Sequence, residues 1–174
     1  MRIVVERLWD GSPARPEERV VLDVHRTPEG LVVHVDAPYH GDPEPPCEPG
    51  PTDGLWNHEV VELFVVGPKE EARAYTEIEL GPHGHHLVLR LKGVRCPVAS
   101  GLPLAFRAER SGNRWVGTAQ IPRNYLPEIA SYNAFAIHGV GSKRRYLSAF
   151  PVPGPHPDFH RLEAFAPWPG EGGE

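Results

Sequence analysis

Apolar residues at every second position, in runs broken by proline and glycine, are what most limits the folds open to this chain. Val20, Leu22 and Val24 alternate with charged or mixed neighbours; Leu31, Val33 and Val35 alternate with Val32, His34 and Asp36; Trp115, Gly117, Ala119 and Ile121 alternate with Val116, Thr118 and Gln120. A repeat of two belongs to an extended strand with one face on a core, whereas a helix repeats its apolar positions about every 3.6 residues. Further strands are expected over Arg2–Leu8, Glu59–Val66, Ala74–Leu80, His86–Leu91, Leu104–Arg110, Ala134–His138 and Arg145–Phe150. The 21 prolines and 18 glycines fall mostly between these runs and supply the turns. The expected fold is therefore all-β: an antiparallel β-sandwich, jelly-roll or immunoglobulin-like, of about ten short strands. Helix is confined to one turn near Asn124–Leu126, trapped between Pro122 and Pro127. With 174 residues, one domain over 1–168 is expected, followed by a flexible glycine-rich tail, 169–174.

A formal net charge of −5, with no basic stripe interleaved with aromatics, removes the electrostatic basis for binding nucleic acid or an anionic membrane. No run approaches the roughly 20 apolar residues needed to span a bilayer. The opening MRIVVERLWDG alternates apolar and charged residues and lacks the apolar core and small-residue cleavage site of a signal peptide. A cytoplasmic protein is expected, with Cys47 and Cys96 as free thiols in a reducing compartment.

The stretch EIELGPHGHHLVL, Glu77 to Leu89, gathers two carboxylates and three imidazoles. Gly81-Pro82-His83-Gly84 has proline and glycine where a tight hairpin needs them. His83 then belongs at the turn tip, and His85 and His86 point to opposite faces of the returning strand, so the three rings do not converge on one ion. Zinc needs about four ligands, and no cysteine pair or helical histidine motif supplies the remainder. No metal site is assigned and no cofactor is required, with a structural calcium ion left open. The proline-rich segment Tyr39–Asp53 reads as a long irregular loop, either a functional lid or a crossover between sheets.

Both faces of Glu59–Val66 are largely apolar, which marks a central strand. Glu62 shares its face with Val60, Phe64 and Val66, and is thus a carboxylate withdrawn from water. Glu77 and Glu79 share a face with Tyr75. If this strand pairs with the previous one, three carboxylates line one surface; otherwise Glu77 and Glu79 form an exposed face balanced by Arg90 and Arg107. Register decides between the two. Trp56, just ahead of the central strand, is either a rim platform on which a sugar ring stacks or a packed core residue. Asn133 and His138 bracket another apolar strand, and Arg144 and Arg145 follow; these could pair with the acids.

Leu55–Phe64, LWNHEVVELF, followed by Tyr75–Leu80, YTEIEL, resembles the family nine carbohydrate-binding modules and the wider DOMON-like β-sandwich group. Trp115–Leu126 is similar to that group's strand ending in Ile-Pro before a short turn, and Phe159–Phe165 to its closing strand. Trp9-Asp10-Gly11, Ala37-Pro38, Pro82-His83-Gly84, Phe135–Gly139 and Pro157–His160 also resemble a narrower family of open-reading-frame proteins with a human member, over nearly the whole chain. The broader resemblance implies a carbohydrate-module sandwich that holds a sugar between aromatic rings, with Trp56 matching the first clamp tryptophan and Glu62 the hydrogen-bonding acid after it. The second clamp ring has no counterpart, since Phe150–Pro157 contains no tryptophan, and Glu79 stands where a sugar-binding member carries a basic residue.

The expected activity is binding, without catalytic residues, of a small polar molecule such as a saccharide on a face lined by Trp56, Glu62, Glu77, Glu79 and His138. One rival is a glycosidase-like hydrolase in which Glu62 and a second acid serve as acid and base. The other is a protein-interaction module marked by an exposed apolar patch. Oligomeric state is not legible.

Overall fold

The computed structural model describes residues 1–69 and 73–169. The expected tail lies outside them from residue 170 on. The described residues form thirteen strands and five single 3-10 turns, with no α-helix among them. In chain order the strands are β1 (Arg2–Val5), β2 (Arg7–Leu8), β3 (Val20–Thr27), β4 (Gly30–Pro38), β5 (Val60–Val66), β6 (Ala74–Leu80), β7 (His86–Lys92), β8 (Pro97–Ala99), β9 (Ala105–Ser111), β10 (Arg114–Pro122), β11 (Ser131–His138), β12 (Arg145–Ser148) and β13 (Ala166–Pro167).

They make two antiparallel sheets. One has the order β1-β3-β4-β10-β9; the other runs β2-β12-β11-β5-β6-β7-β8, with β13 added beside β11. The alternation supplies the core between them. Val20, Leu22 and Val24 of β3, Leu31, Val33 and Val35 of β4, and Trp115, Ala119 and Ile121 of β10 meet Val61, Leu63 and Val65 of β5, with Ile78, Leu80, Val88, Ala134, Ala136 and Leu147 around them. Polar partners such as Asp36 and His34 face outward from the five-stranded sheet, the pattern of a sheet wetted on one side.

The centre of the eight-stranded sheet is buried on both faces. All seven residues of β5 are buried. Its outer face carries a second cluster: Val60, Phe64, Val66, Tyr75, Leu87, Leu91, Phe135 and Ile137, covered by Leu55 and by Val152, Phe159, Leu162 and Phe165 from the C-terminal segment. That segment therefore roofs part of the sheet, and the uncovered remainder is where a ligand could enter.

Three expectations change. The single strand expected over Arg2–Leu8 is two, because the chain crosses from one sheet to the other at Glu6: β1 pairs with β3 and β2 with β12. Strands that switch sheets in this way make the corners of a sandwich. The closing strand expected over Phe159–Phe165 is a turn around Leu162–Ala164, and pairing resumes only at β13. Phe159, Leu162 and Phe165 are spaced to roof the outer face, with no period of two. The short strand β8 after Gly93 lay within a stretch too brief and too exposed to show alternation.

The loop from Tyr39 to Asp53 is a crossover between the sheets. Its backbone donates from His40 and Asp42 to the buried Glu59 carboxylate, and the Asp42 carboxylate accepts from Gly139. The hairpin at Gly81–Gly84 is present, with Gly84 at φ +90. His83 is largely covered and pairs with Glu44 of the crossover, while the His85 ring reaches the Cys47 carbonyl and His86 lies edge-on to Phe106. His83 and His85 meet edge-on at 6.4 Å between ring centroids, while His86 lies apart from them against Phe106. Both cysteines are free and exposed.

Candidate functional site

The outer face of the eight-stranded sheet opens beside the C-terminal roof into a cleft of about 550 Å³. Its floor is built by adjacent strands: Glu62 and Phe64 from β5, Glu77 from β6, Leu89 and Leu91 from β7. Register puts them there. Glu62 is directly opposite Glu79, Phe64 opposite Glu77, and Glu77 in turn opposite Leu89, so all point outward from the sandwich.

Trp56 forms one rim. It lies in the 3-10 turn Leu55–Asn57, which Gly54 enters at φ +72 and which Leu55 anchors by complete burial. Arg144 holds this turn by donating to the carbonyls of Trp56 and His58. The indole itself stays 42% exposed. Tyr146 and Phe159 continue the aromatic lining; Phe159 stacks on Phe135 at 3.9 Å between ring centroids, and Tyr146 meets it edge-on.

Arg95, Asp158 and His160 complete the opposite side. Arg95 has φ 56, the left-handed region that a residue with a long side chain seldom occupies. It is held there from two sides: its backbone N–H donates to the Tyr75 hydroxyl at 3.0 Å, and its guanidinium pairs with Asp158 at 2.8 Å. The same hydroxyl is hydrogen-bonded to Nδ1 of His160, 2.8 Å away. Nε2 of the same ring faces Glu77 Oε2 at 3.9 Å. Burial above all, and Arg95 beside it, pull the His160 pKa down to about 4, so the ring is neutral.

The acids behave as one group. Glu62 is 2% exposed, Glu77 5% and Glu79 0%. An oxygen from each lies within 4.8 Å of the others. Burial raises the pKa of Glu77 to about 7, opposed by contact with Glu79 and by the charge of Arg95. Burial first, and then the neighbouring carboxylates, push Glu62 and Glu79 well above the usual carboxylate range; Arg144 opposes this at Glu62. Both oxygens of Glu79 and Oε2 of Glu77 are buried without a hydrogen-bond partner.

Of the residues singled out from the sequence, Trp56, Glu62 and Glu77 line the cleft, and Glu79 is packed behind Glu62 and Glu77. His138 does not join them. Ile137 of β11 is opposite Val60 and faces the cleft, so the next residue must point to the other face. There His138 bonds to Glu18 Oε1 at 2.9 Å and stacks on His40 at 3.6 Å, and Arg145 donates to both oxygens of Glu18. Arg145 goes with His138, whereas Arg144 stays with the turn that carries Trp56.

Arg95, Tyr146, Asp158, Phe159 and His160 escaped the sequence reading as cleft residues. Except for Tyr146 they come from turns and the C-terminal roof, where no period shows which way a side chain points. The available signal was the segment Pro157–His160 itself, which resembles the narrower family but lies outside any strand.

No family model matches the chain. It is 44% identical over 177 aligned positions to the mouse UPF0462 protein C4orf33 homolog, covering 97% of this chain and 91% of the relative. The human UPF0462 protein C4orf33 is 41% identical, with 95% and 86% covered, and the zebrafish homolog is 39% identical, with 95% and 87% covered. Among solved structures, the crystal structure of a putative carbohydrate-binding protein from Bacteroides uniformis superposes with a TM-score of 0.70 over 96% of this chain and 84% of that one, at 13% identity. At that identity the likeness shows the sandwich fold.

Proposed function

The chain belongs to the UPF0462 (C4orf33) family, and we propose that its cleft binds a small polar ligand, with a saccharide as the leading class. One observation carries the reading: an indole left 42% exposed stands at the rim of a cleft whose floor presents the carboxyls of Glu62 and Glu77. A sugar ring has an apolar face that stacks on an aromatic surface and hydroxyls that donate to carboxylates, so it uses both features at once. The volume falls within the range of about 300–1,000 Å³ common for small-molecule sites. Tyr146 and Phe159 offer ring surface in place of the absent second tryptophan. The Bacteroides uniformis neighbour, a putative carbohydrate-binding protein, points the same way, by analogy of fold alone.

Binding fits better than hydrolysis. An acid/base pair needs environments that drive two pKa values apart, and here burial and mutual repulsion drive all three carboxyls upward together.

A screen of mono- and disaccharides and polar metabolites by calorimetry tests the reading. Trp56→Ala removes mostly exposed surface, so the fold should stand while affinity for a ligand found in the screen drops about tenfold or more, some 1.4 kcal/mol. Undiminished affinity in that variant would remove the indole from the site.

A further inference from the structure

Buried carboxylates without partners need an explanation that hydroxyl binding alone does not give. Glu62 and Glu79 sit directly opposite each other on adjacent strands, and Glu77 is two residues along on the same face. Like charges in such positions destabilise a sheet. Glu79 has no exposed surface, and neither its oxygens nor Oε2 of Glu77 has a partner apart from a proton that Glu77 and Glu79 could share between them. The nearby cations are committed elsewhere. The Arg144 guanidinium donates to the carbonyls of Gly139, Trp56 and His58, and Arg95 pairs with Asp158. His160 comes no closer to Glu77 than 3.9 Å.

We propose that Glu62, Glu77 and Glu79 form a binding site for one hard divalent cation, of the calcium or manganese class, reached through the cleft. The donor set is entirely oxygen, which suits such ions and disfavours zinc and copper. Calcium holds its ligands at about 2.3–2.6 Å, so carboxylate oxygens on opposite sides of one ion stand roughly 5 Å apart. The observed oxygens all lie within 4.8 Å of one another, inside that limit. Three carboxylates leave several of the 6–8 positions of calcium to other oxygens. Glu62 and Glu77 line the cleft, so those positions face the space in which a polar ligand would lie. Water fills them when the protein is alone; sugar hydroxyls replace it when a saccharide binds. That last step rests on the proposed function, whereas uptake of the ion does not.

The experiment therefore has two arms, both on protein stripped with EDTA. In the first, Mn²⁺ binding is followed by the electron paramagnetic resonance signal of the free ion, and Ca²⁺ binding by calorimetry and thermal unfolding, with no sugar present. One ion per chain should bind, with a dissociation constant of about 10⁻⁵–10⁻³ M, and should raise the melting temperature. Glu79→Gln and Glu62→Gln should each weaken uptake tenfold or more while remaining folded by circular dichroism, since Gln keeps the shape and relieves the crowding of charge. Absence of uptake at millimolar ion, or uptake unchanged in both variants, overturns the site. In the second arm the saccharide screen is run with Ca²⁺ and with EDTA. Binding that needs the ion supports the shared site. Saccharide binding with no ion uptake in the first arm overturns the cation proposal and leaves the binding reading intact; ion uptake with no saccharide binding does the reverse.

Discussion

Glu79 has no solvent and no donor for its two carboxylate oxygens other than a proton shared with Glu77, and this makes it the most informative single residue in the molecule. Without a cation it must hold a proton or repel Glu62 and Glu77. Glu79→Gln removes the charge, keeps the volume and adds an amide that can donate to either neighbour. In EDTA near pH 8 the variant should therefore melt higher than the natural protein, by the about 2–4 °C that 1 kcal/mol produces in a domain of this size. At about pH 5, where the carboxyls are protonated in any case, the difference should vanish. Scanning calorimetry at the two pH values checks it, and a lower melting temperature in EDTA near pH 8 would show that the carboxylate is satisfied in a way the geometry does not suggest. At this scale the sequence spoke unevenly. That Glu62 shares a face with Phe64 follows from parity along one strand. That Glu79 meets Glu62 is a matter of register between strands, which the residues leave open. His138 went to the wrong face because both sides of β11 are apolar, so parity alone did not tell inside from outside.

β5 is the element on which the two halves of the molecule depend. Val61, Leu63 and Val65 close the core between the sheets, and Phe64 stands among Tyr75, Phe135, His160 and Phe165 beneath the roof. Phe64→Ala should cost about 3–5 kcal/mol, read as a shift in the urea midpoint. It should also loosen the C-terminal roof, so the amides of Phe159–Phe165 should lose hydrogen-exchange protection before those of β3 and β4. Loss of stability with no local change in the roof would separate the two. Strands of this kind are legible because their side chains alternate: β5, β6 and β7 match the expected ranges to within a residue at each end, and β3, β4 and β10 contain the alternating runs. The roof was not, because a segment that covers a sheet from outside places its apolar residues to suit the surface beneath. The cleft was half legible for the same reason: its floor is strand, and most of its walls are turns.

At the scale of the whole molecule, two buried clusters set opposite limits on pH. Arg145, the Arg15 backbone and His138 outweigh burial at Glu18 and hold its pKa at about 2, below the ordinary 4.5. The stability this gives is complete above about pH 4.5 and is lost as pH falls toward 2. Glu77 moves the other way, to about 7, with Glu62 and Glu79 also raised. That contribution is complete below about pH 4.5 and is lost as pH rises through 7. In EDTA, melting temperature should thus peak near about pH 5 and decline on both sides. Glu18→Gln should cost about 2 kcal/mol of stability at that pH through the weakened pair with Arg145, lowering the peak, and should flatten the acid limb. Calcium should restore the alkaline limb alone. A profile unaffected by calcium above pH 7 would detach the alkaline decline from the three acids.

The crossing at Glu6 has a consequence for how the chain is made. β1 finds β3 within the first two dozen residues, so that corner can form while synthesis continues. Arg7 and Leu8 must instead wait for Leu147 and Ser148, about 140 residues later, and until then the border of the larger sheet has no mate. During synthesis this dipeptide strand emerges well before its mate and docks only after Leu147 and Ser148 are made, so closure of that border belongs to the last contacts of folding.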